Sequence, residues 1–177
     1  MTQHVKIPQD RIGVLIGPKG VVKEDIEKKS ASRITVDSNE GEVYIEGVEG
    51  GDPLKALRVA EVIRAIGRGF SPENAFTLLD DDLLLFEVIS LAHLSSKTLN
   101  RMKGRVIGRD GRARRVIENL TNVKISVYGK TISLIGHSHR IKTAHEAIAM
   151  LIAGASHSSV YKFLERTRRA EGEQEKW

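Results

Sequence analysis

Apolar and polar positions change rhythm along the chain in the same order twice. Near the N-terminus "HVKIP" alternates, as does "LLFEVISL" in the second half, which predicts a short strand in each because successive strand side chains face opposite ways. A short helical segment follows and ends in Gly-x-x-Gly, after which a second helix starts at once. In "VVKEDIEKKS" and "RARRVIENLT" the period changes to that of a helix, placing Val22 with Ile26 and Val116 with Leu120, four apart on one face. Alternation then returns for two strands, "RITVD" and "EVYIEG" in one copy, "VKISVYG" and "TISLIG" in the other. Their pattern buries Ile34 and Val36, or Ile125 and Val127, on one side of a small sheet. A long amphipathic helix is expected from about Asp52 to Gly67 and from about Ser138 to Ala153. "SPENAFTLL" and "SHSSVYKFL" then begin an extra helix with a serine N-cap, Pro72 falling at the first helical position. The final "ERTRRAEGEQEKW" reads as a charged helix end that frays.

Identities support the repeated rhythm. A shift of 91 residues superposes Gly13, Ile16, Gly17, Gly20, Ile26, Glu27, Ile34 and Val36 on Gly104, Ile107, Gly108, Gly111, Ile117, Glu118, Ile125 and Val127. Past a connection shorter by two residues "EVYIEG" falls on "TISLIG", and at a shift of 85 Ser71, Phe76 and Leu79 fall on Ser156, Tyr161 and Leu164. Two units of one design therefore fill almost the whole chain, residues 1–81 and 82–177, with the junction in "LLDDDLLLF" near Asp81. Two copies are too few for a solenoid, which needs about three or more to bury a continuous core. Three adjacent Asp on one loop supply few convergent ligands, so Asp80, Asp81 and Asp82 are expected to form a solvated turn.

Composition narrows the class. The 177 residues are 40% hydrophobic and 29% charged, as in ordinary globular proteins. No apolar run reaches the roughly 18 to 20 residues of a membrane helix, and "MTQHVKIPQD" lacks a signal peptide's apolar core, so a cytoplasmic protein is expected. Without cysteine there is neither a disulfide framework nor a Cys-ligated zinc. The net charge of +5 suits a polyanionic partner, and its distribution says more than its total.

Two glycines around two residues leave backbone with little side-chain cover, which another backbone can approach closely. The helix that follows offers free N–H groups and the positive end of its dipole, a setting that welcomes phosphate. The bracketed residues are Pro18 and Lys19 between Gly17 and Gly20, and Arg109 and Asp110 between Gly108 and Gly111, one cation in each pair. Residues 97–130 carry ten Lys or Arg against Asp110 and Glu118, a net of +8, whereas residues 6–39 carry seven against five. Lys103, Arg105, Arg109, Arg112, Arg114 and Arg115 gather around the second loop. Cations at a helix N-terminus oppose its dipole by about 0.3 to 1 kcal/mol each, so three arginines there point to a bound polyanion. In the first copy Lys19 and Lys23 face Glu24, Asp25 and Glu27, so the second unit is expected to dominate nucleic-acid affinity. The first is expected to bind weakly or to serve a protein partner.

Other chemistries fit less well. No Gly-x-x-x-x-Gly-Lys-Ser/Thr run exists to hold nucleotide phosphates and Mg²⁺. His137, His139 and His145 in "GHSHRIKTAHEA" lack i, i+4 spacing, so no metal or other cofactor is expected, and the first two are placed at a helix start. A protein-interaction scaffold and a general single-stranded nucleic-acid binder are the alternatives, since fold does not imply function. With 5% aromatic residues and none in the loops, base recognition would rest on an aliphatic groove and hydrogen bonds, and RNA is not distinguished from single-stranded DNA.

Gly-x-x-Gly between two helices, followed by two strands and a helix, resembles the K homology (KH) module, whose loop clamps about four backbone nucleotides. The order strand, helix, helix, strand, strand, helix matches its type I form. The expected fold is therefore α+β, two type I KH domains with an extra C-terminal helix, each a three-stranded antiparallel sheet packed on helices. Two such units, with "GRVIGRDGRARRVIENLTNVKISVYGKTISLIG" in the second, resemble the ribosome-assembly factors of the partner-of-Nob (Dim) family, with Krr-type proteins as relatives, and the compact form is similar to archaeal members. The resemblance implies a non-enzymatic protein binding single-stranded RNA near the 3' end of small-subunit precursor rRNA. It also implies a Nob-type endonuclease and the alpha subunit of initiation factor two as partners, and no membrane. By motif match the clamp is Gly108, Arg109, Asp110 and Gly111, flanked by Arg105 and Arg112, with Lys103 and Arg115 nearby. Eukaryotic members tend to have lost the first-unit loop, whereas Gly17, Pro18, Lys19 and Gly20 keep it here, which opens a second RNA contact.

Overall fold

A computed structural model describes residues 2–176. The first unit runs β1 (Thr2–Lys6), α1 (Gln9–Ile16), a single 3₁₀ turn at Pro18–Gly20, α2 (Val21–Ser30), β2 (Ser32–Asp37), β3 (Glu42–Gly47), α3 (Pro53–Gly67) and α4 (Pro72–Asp80). Its strands form an antiparallel sheet in the order β1-β3-β2, with Val5 opposite Val43 and Ile34 opposite Ile45. Those four side chains are buried with Leu15, Ile26, Val59, Ile63 and Ile66 from the helices, giving one core between sheet and helices. Helix starts follow the local chemistry. The Asp52 carboxylate accepts the Leu54 N–H and Pro53 opens α3, while the Ser71 hydroxyl accepts the Asn74 N–H and Pro72 opens α4.

The second unit repeats the order as β4 (Leu85–Ser90), α5 (Ser96–Ile107), a 3₁₀ turn at Arg109–Gly111, α6 (Arg112–Thr121), β5 (Lys124–Tyr128), β6 (Thr131–Gly136), α7 (Ser138–Ile152) and α8 (His157–Gln174). The strand order β4-β6-β5 matches the first sheet, and β5 and β6 are joined by a two-residue turn where β2 and β3 have four residues. The core gathers Val106, Ile117, Ile125, Ile132, Leu134, Ile148 and Leu151. Both units are therefore α+β, each a three-stranded antiparallel sheet packed on helices.

The compact units divide between Phe86 and Glu87. Asp81, in the acidic run, ends α4, and its carboxylate accepts the Leu83 N–H at 2.9 Å. Arg58 holds this segment by donating to the Asp81 and Leu84 carbonyls at 3.1 and 2.7 Å.

Two sequence expectations are corrected. The core face of α6 is Ala113, Ile117 and Thr121, while Val116 and Leu120 are only half-buried at its margin. The apolar pair sits one position off the true stripe, whose small Ala113 and hydroxyl-bearing Thr121 carry little apolar signal. Thr121 is tolerated there because its hydroxyl donates to the Ile117 carbonyl at 2.6 Å. The second correction is that the C-terminal segment continues as helix to Gln174, packed on α6 and α7. Arg140 of α7 meets Glu171 at 3.6 Å, a tie far along the tail that the charged sequence does not reveal.

Candidate nucleic-acid interface

Each loop begins where a helix ends. The Gly17 N–H donates to the Gly13 carbonyl and the Gly108 N–H to the Gly104 carbonyl, closing α1 and α5. Gly17 then adopts φ 73°, ψ 175° and Gly108 φ 73°, ψ 176°, a region essentially restricted to glycine. Close packing reinforces the restriction. A Cβ on Gly17 would stand 2.4 Å from Val22 Cγ2, and one on Gly108 2.5 Å from Ala113 Cβ. The second glycine of each loop differs: Gly20 and Gly111 lie in the left-handed region and precede α2 and α6 without any side-chain cap. A Cβ on Gly20 would meet nothing within 4 Å, and one on Gly111 only the Arg115 guanidinium at 3.5 Å. The first glycine seats the loop on its helix, and the second leaves the helix N-terminus uncovered for an anion.

Between the glycines Pro18, Lys19, Arg109 and Asp110 are all exposed. Arg112 and Arg115 are exposed on the first turn of α6, and Lys103 is half-buried on α5. Among the described residues no hydrogen bond or ion pair engages the side chains of Arg109, Arg112, Arg115 or Lys103. The first unit contrasts with this. Lys23 pairs with Glu27 at 3.4 Å, Lys28 with Glu24 at 3.0 Å, and the Lys29 ammonium sits 5.0 Å from the centre of the Phe76 ring. The Glu24 hydrogen bond raises the Lys28 pKa above its ordinary value. Among the described residues, Lys19 is the cation beside the first loop left without such a partner.

Arg105, expected to flank the clamp, points elsewhere. It is half-buried, its Nε donating to the Leu151 carbonyl at 2.8 Å and its Nη2 to that of Ala155. Arg11 makes the matching bonds in the first unit, to the carbonyls of Ile66 at 2.8 Å and Phe70 at 2.9 Å. These acceptors correspond at the 85-residue shift, whereas the two arginines sit about one helical turn apart in the repeat. Arg105 adjoins the buried stripe of Leu99, Met102 and Val106, and that adjacency was the available sequence signal.

The sequence pairs Glu27 with Glu118 and sets Glu27 against Lys19 and Lys23, but it does not show a bond from either carboxylate to a strand. Glu27 Oε1 accepts the Ile34 N–H at 2.8 Å and Glu118 Oε2 the Ile125 N–H at 3.2 Å, tying α2 to β2 and α6 to β5. Both strands are sheet edges. Arg114 Nη1 donates to the other Glu118 oxygen at 2.8 Å. The helix wall beside β5 therefore carries an ion pair.

His137 is the N-cap residue of α7 but makes no capping bond with its side chain, and no group of three or more metal-ligating side chains occurs among the described residues. No described helix is long and apolar enough to cross a membrane. In the first unit Val48, Leu54 and Leu57 are exposed, and Val48 and Leu57 line a cleft of about 480 Å³.

Fold and loops together define a protein of two type I KH modules. Family descriptions agree: residues 85–169 match the eukaryotic-type (type I) KH domain and residues 2–59 the KH domain. A KH domain-containing protein of Methanocaldococcus jannaschii is 47% identical over 93% of this chain and 73% of its own. RNA-binding protein pno1 of Dictyostelium discoideum is 30% identical over 90% of this chain and 68% of its own. Among solved structures, aDim2p of Pyrococcus horikoshii OT3, crystallised in a complex with a/eIF2alpha and rRNA, superposes with a TM-score of 0.91. It is 44% identical, over 96% of this chain and 95% of that one. The chain belongs to the partner-of-Nob (Dim2, Pno1) family.

Proposed function

We propose that this protein binds single-stranded RNA near the 3' end of small-subunit precursor rRNA during ribosome assembly, gripping the RNA backbone at the Gly108–Gly111 loop. The observation that carries the reading is the uncapped start of α6 ringed by exposed Arg109, Arg112 and Arg115, none of them engaged within the described chain. An RNA backbone supplies the anions that this cluster lacks, and the neighbouring groove takes the bases. No step of chemistry is assigned to the protein itself, and its place of action is the cytoplasm. The relative crystallised with rRNA and a/eIF2alpha supports rRNA and the initiation-factor alpha subunit as partners. The family resemblance adds a Nob-type endonuclease.

The two halves, residues 1–81 and 82–177, serve as separate modules in this reading. Gly17, Pro18, Lys19 and Gly20 provide a second, weaker contact, because the lysines beyond Lys19 are already engaged. The test is fluorescence anisotropy at two salt concentrations with RNA from the 3' end of small-subunit rRNA, a scrambled RNA and the matching DNA. Sequence-selective, salt-sensitive binding that collapses in Arg109→Asp and only weakens in Lys19→Asp is expected. Binding indifferent to both changes in folded protein would make the loops structural and leave a protein scaffold as the better reading.

A further inference from the structure

We infer that Arg114 and Glu118 form a base-reading subsite selective for guanine and hostile to uracil. The inference rests on the RNA-binding reading above and adds to it which base lies beside the clamp. Arg114 and Glu118 lie one and two turns into α6, past the loop, on the side facing the β5 edge, as the bond from the Ile125 N–H to Glu118 requires. A strand of RNA gripped at Gly108–Gly111 places its bases along this wall.

The carboxylate is fixed from two sides. Oε1 accepts from Arg114 Nη1 at 2.8 Å and Oε2 from the Ile125 N–H at 3.2 Å. A carboxylate has about four lone-pair sites, so each oxygen keeps room for a further donor. Neither residue is sealed away, since the side chains of Arg114 and Glu118 are 36% and 22% exposed. The wall therefore offers acceptor, acceptor, donor in a row: Glu118 Oε2, Glu118 Oε1, and the remaining N–H groups of Arg114. The Watson–Crick edge of guanine presents the complement, two donors (N2–H and N1–H) followed by the acceptor O6. Adenine and cytosine bring a single amino donor. Uracil sets a carbonyl on each side of its one N–H and turns oxygen toward carboxylate.

The first unit carries the corresponding residues at the 91-residue shift, Lys23 for Arg114, Glu27 for Glu118 and the Ile34 N–H for that of Ile125, although there the lysine and the N–H both meet one oxygen, Glu27 Oε1. Holding the helix to the sheet requires only the carboxylate. The cation four residues before it, kept in both units, is what completes a donor-acceptor row. Lysine offers a point charge instead of a planar fork, which suits the weaker site.

The experiment scans a single-stranded RNA with the full-length protein, placing G, A, C or U at one position at a time and reading affinity by anisotropy. Wild type, Glu118→Gln and Arg114→Gln are compared, with thermal melts as a check of folding. At one position guanine should exceed uracil by about tenfold, the discrimination of a good bidentate base contact. Glu118→Gln keeps an oxygen for the Ile125 N–H but turns an amino group toward the base, and there the guanine preference should fall below about threefold while uracil binding is not weakened. Arg114→Gln, which leaves the Glu118–Ile125 bond in place, should reduce the preference as well. The inference is overturned if wild type prefers another base or none at every position, or if both variants discriminate as wild type does. Loss of all RNA binding in the wild type would instead remove the RNA-binding reading beneath it.

Discussion

The two clamp loops have nearly the same backbone and very different surroundings. Gly17 and Gly108 differ by one degree in ψ, Lys19 and Asp110 share φ 54°, and Gly20 and Gly111 agree within two degrees in φ and ψ. Yet Lys23, Lys28 and Lys29 beside the first loop are spent on Glu27, Glu24 and Phe76, while Arg109, Arg112, Arg115 and Lys103 beside the second have no partner among the described residues. Under the proposed RNA contact, backbone shape makes a phosphate site possible, and the pairing of nearby side chains sets how strongly it draws RNA. A comparison of net charge alone understates the contrast, because it counts engaged and unengaged cations alike.

Glycine substitutions provide the severest test of the shared geometry. Gly108→Ala should cost about 3 to 5 kcal/mol, combining a glycine-only conformation with a Cβ forced against Ala113, as read from urea unfolding. Gly17→Ala should cost somewhat less, because the backbone nitrogen its Cβ would meet, that of Val22, stands at 3.0 Å against 2.7 Å for that of Ala113. Equal small losses at both sites would mean that the loops relax freely and that their matching angles carry no constraint.

Next in size is the charge contrast. Arg112→Ala with Arg115→Ala should weaken RNA binding about tenfold to a hundredfold at moderate salt and flatten the log affinity against log salt slope by about two. Lys19→Ala should change that slope by about one or less. A reversed order would place the main contact in the first unit.

A third comparison separates support from contact. Arg105→Ala should lower stability by about 2 kcal/mol through loss of charged hydrogen bonds to two carbonyls, with Arg11→Ala similar. In folded protein Arg105→Ala should leave the salt dependence of RNA binding unchanged, whereas an arginine touching phosphate would reduce the slope by about one.

The smallest effect concerns the ends of α2 and α6. Ala31 and Asn122 both cap with positive φ, 48° and 56°, a conformation that costs alanine about 1 kcal/mol and asparagine less. Ala31→Gly should therefore stabilise by about 1 kcal/mol and Asn122→Gly by only a few tenths, measured by denaturant midpoints.

Much of this was legible in the sequence because the repeat acts as an internal comparison. Glycines at matching positions exposed both loops, and alternation marked the edge and central strands. What escaped depends on contacts distant along the chain. The stripe on α6 was misread by one position because Ala113 and Thr121 look neutral, and the length of α8 depends on contacts to α6 and α7. Arg105 looked like one more cation of the cluster, since the carbonyls that take it are 46 and 50 residues away. Glu118 was visible as a match to Glu27, but its task needs the strand edge beside it.

The tie made by Arg11 and Arg105 has a consequence for how the halves diverged after duplication. Its acceptors are main-chain oxygens, which no codon change can delete, so the tie can be inherited as a fixed socket while its plug moves. An arginine arising one turn along the helix restores the bond and frees the original position to change. An alignment that seeks the same residue at the same column would score that site as lost, although the contact has survived in both halves.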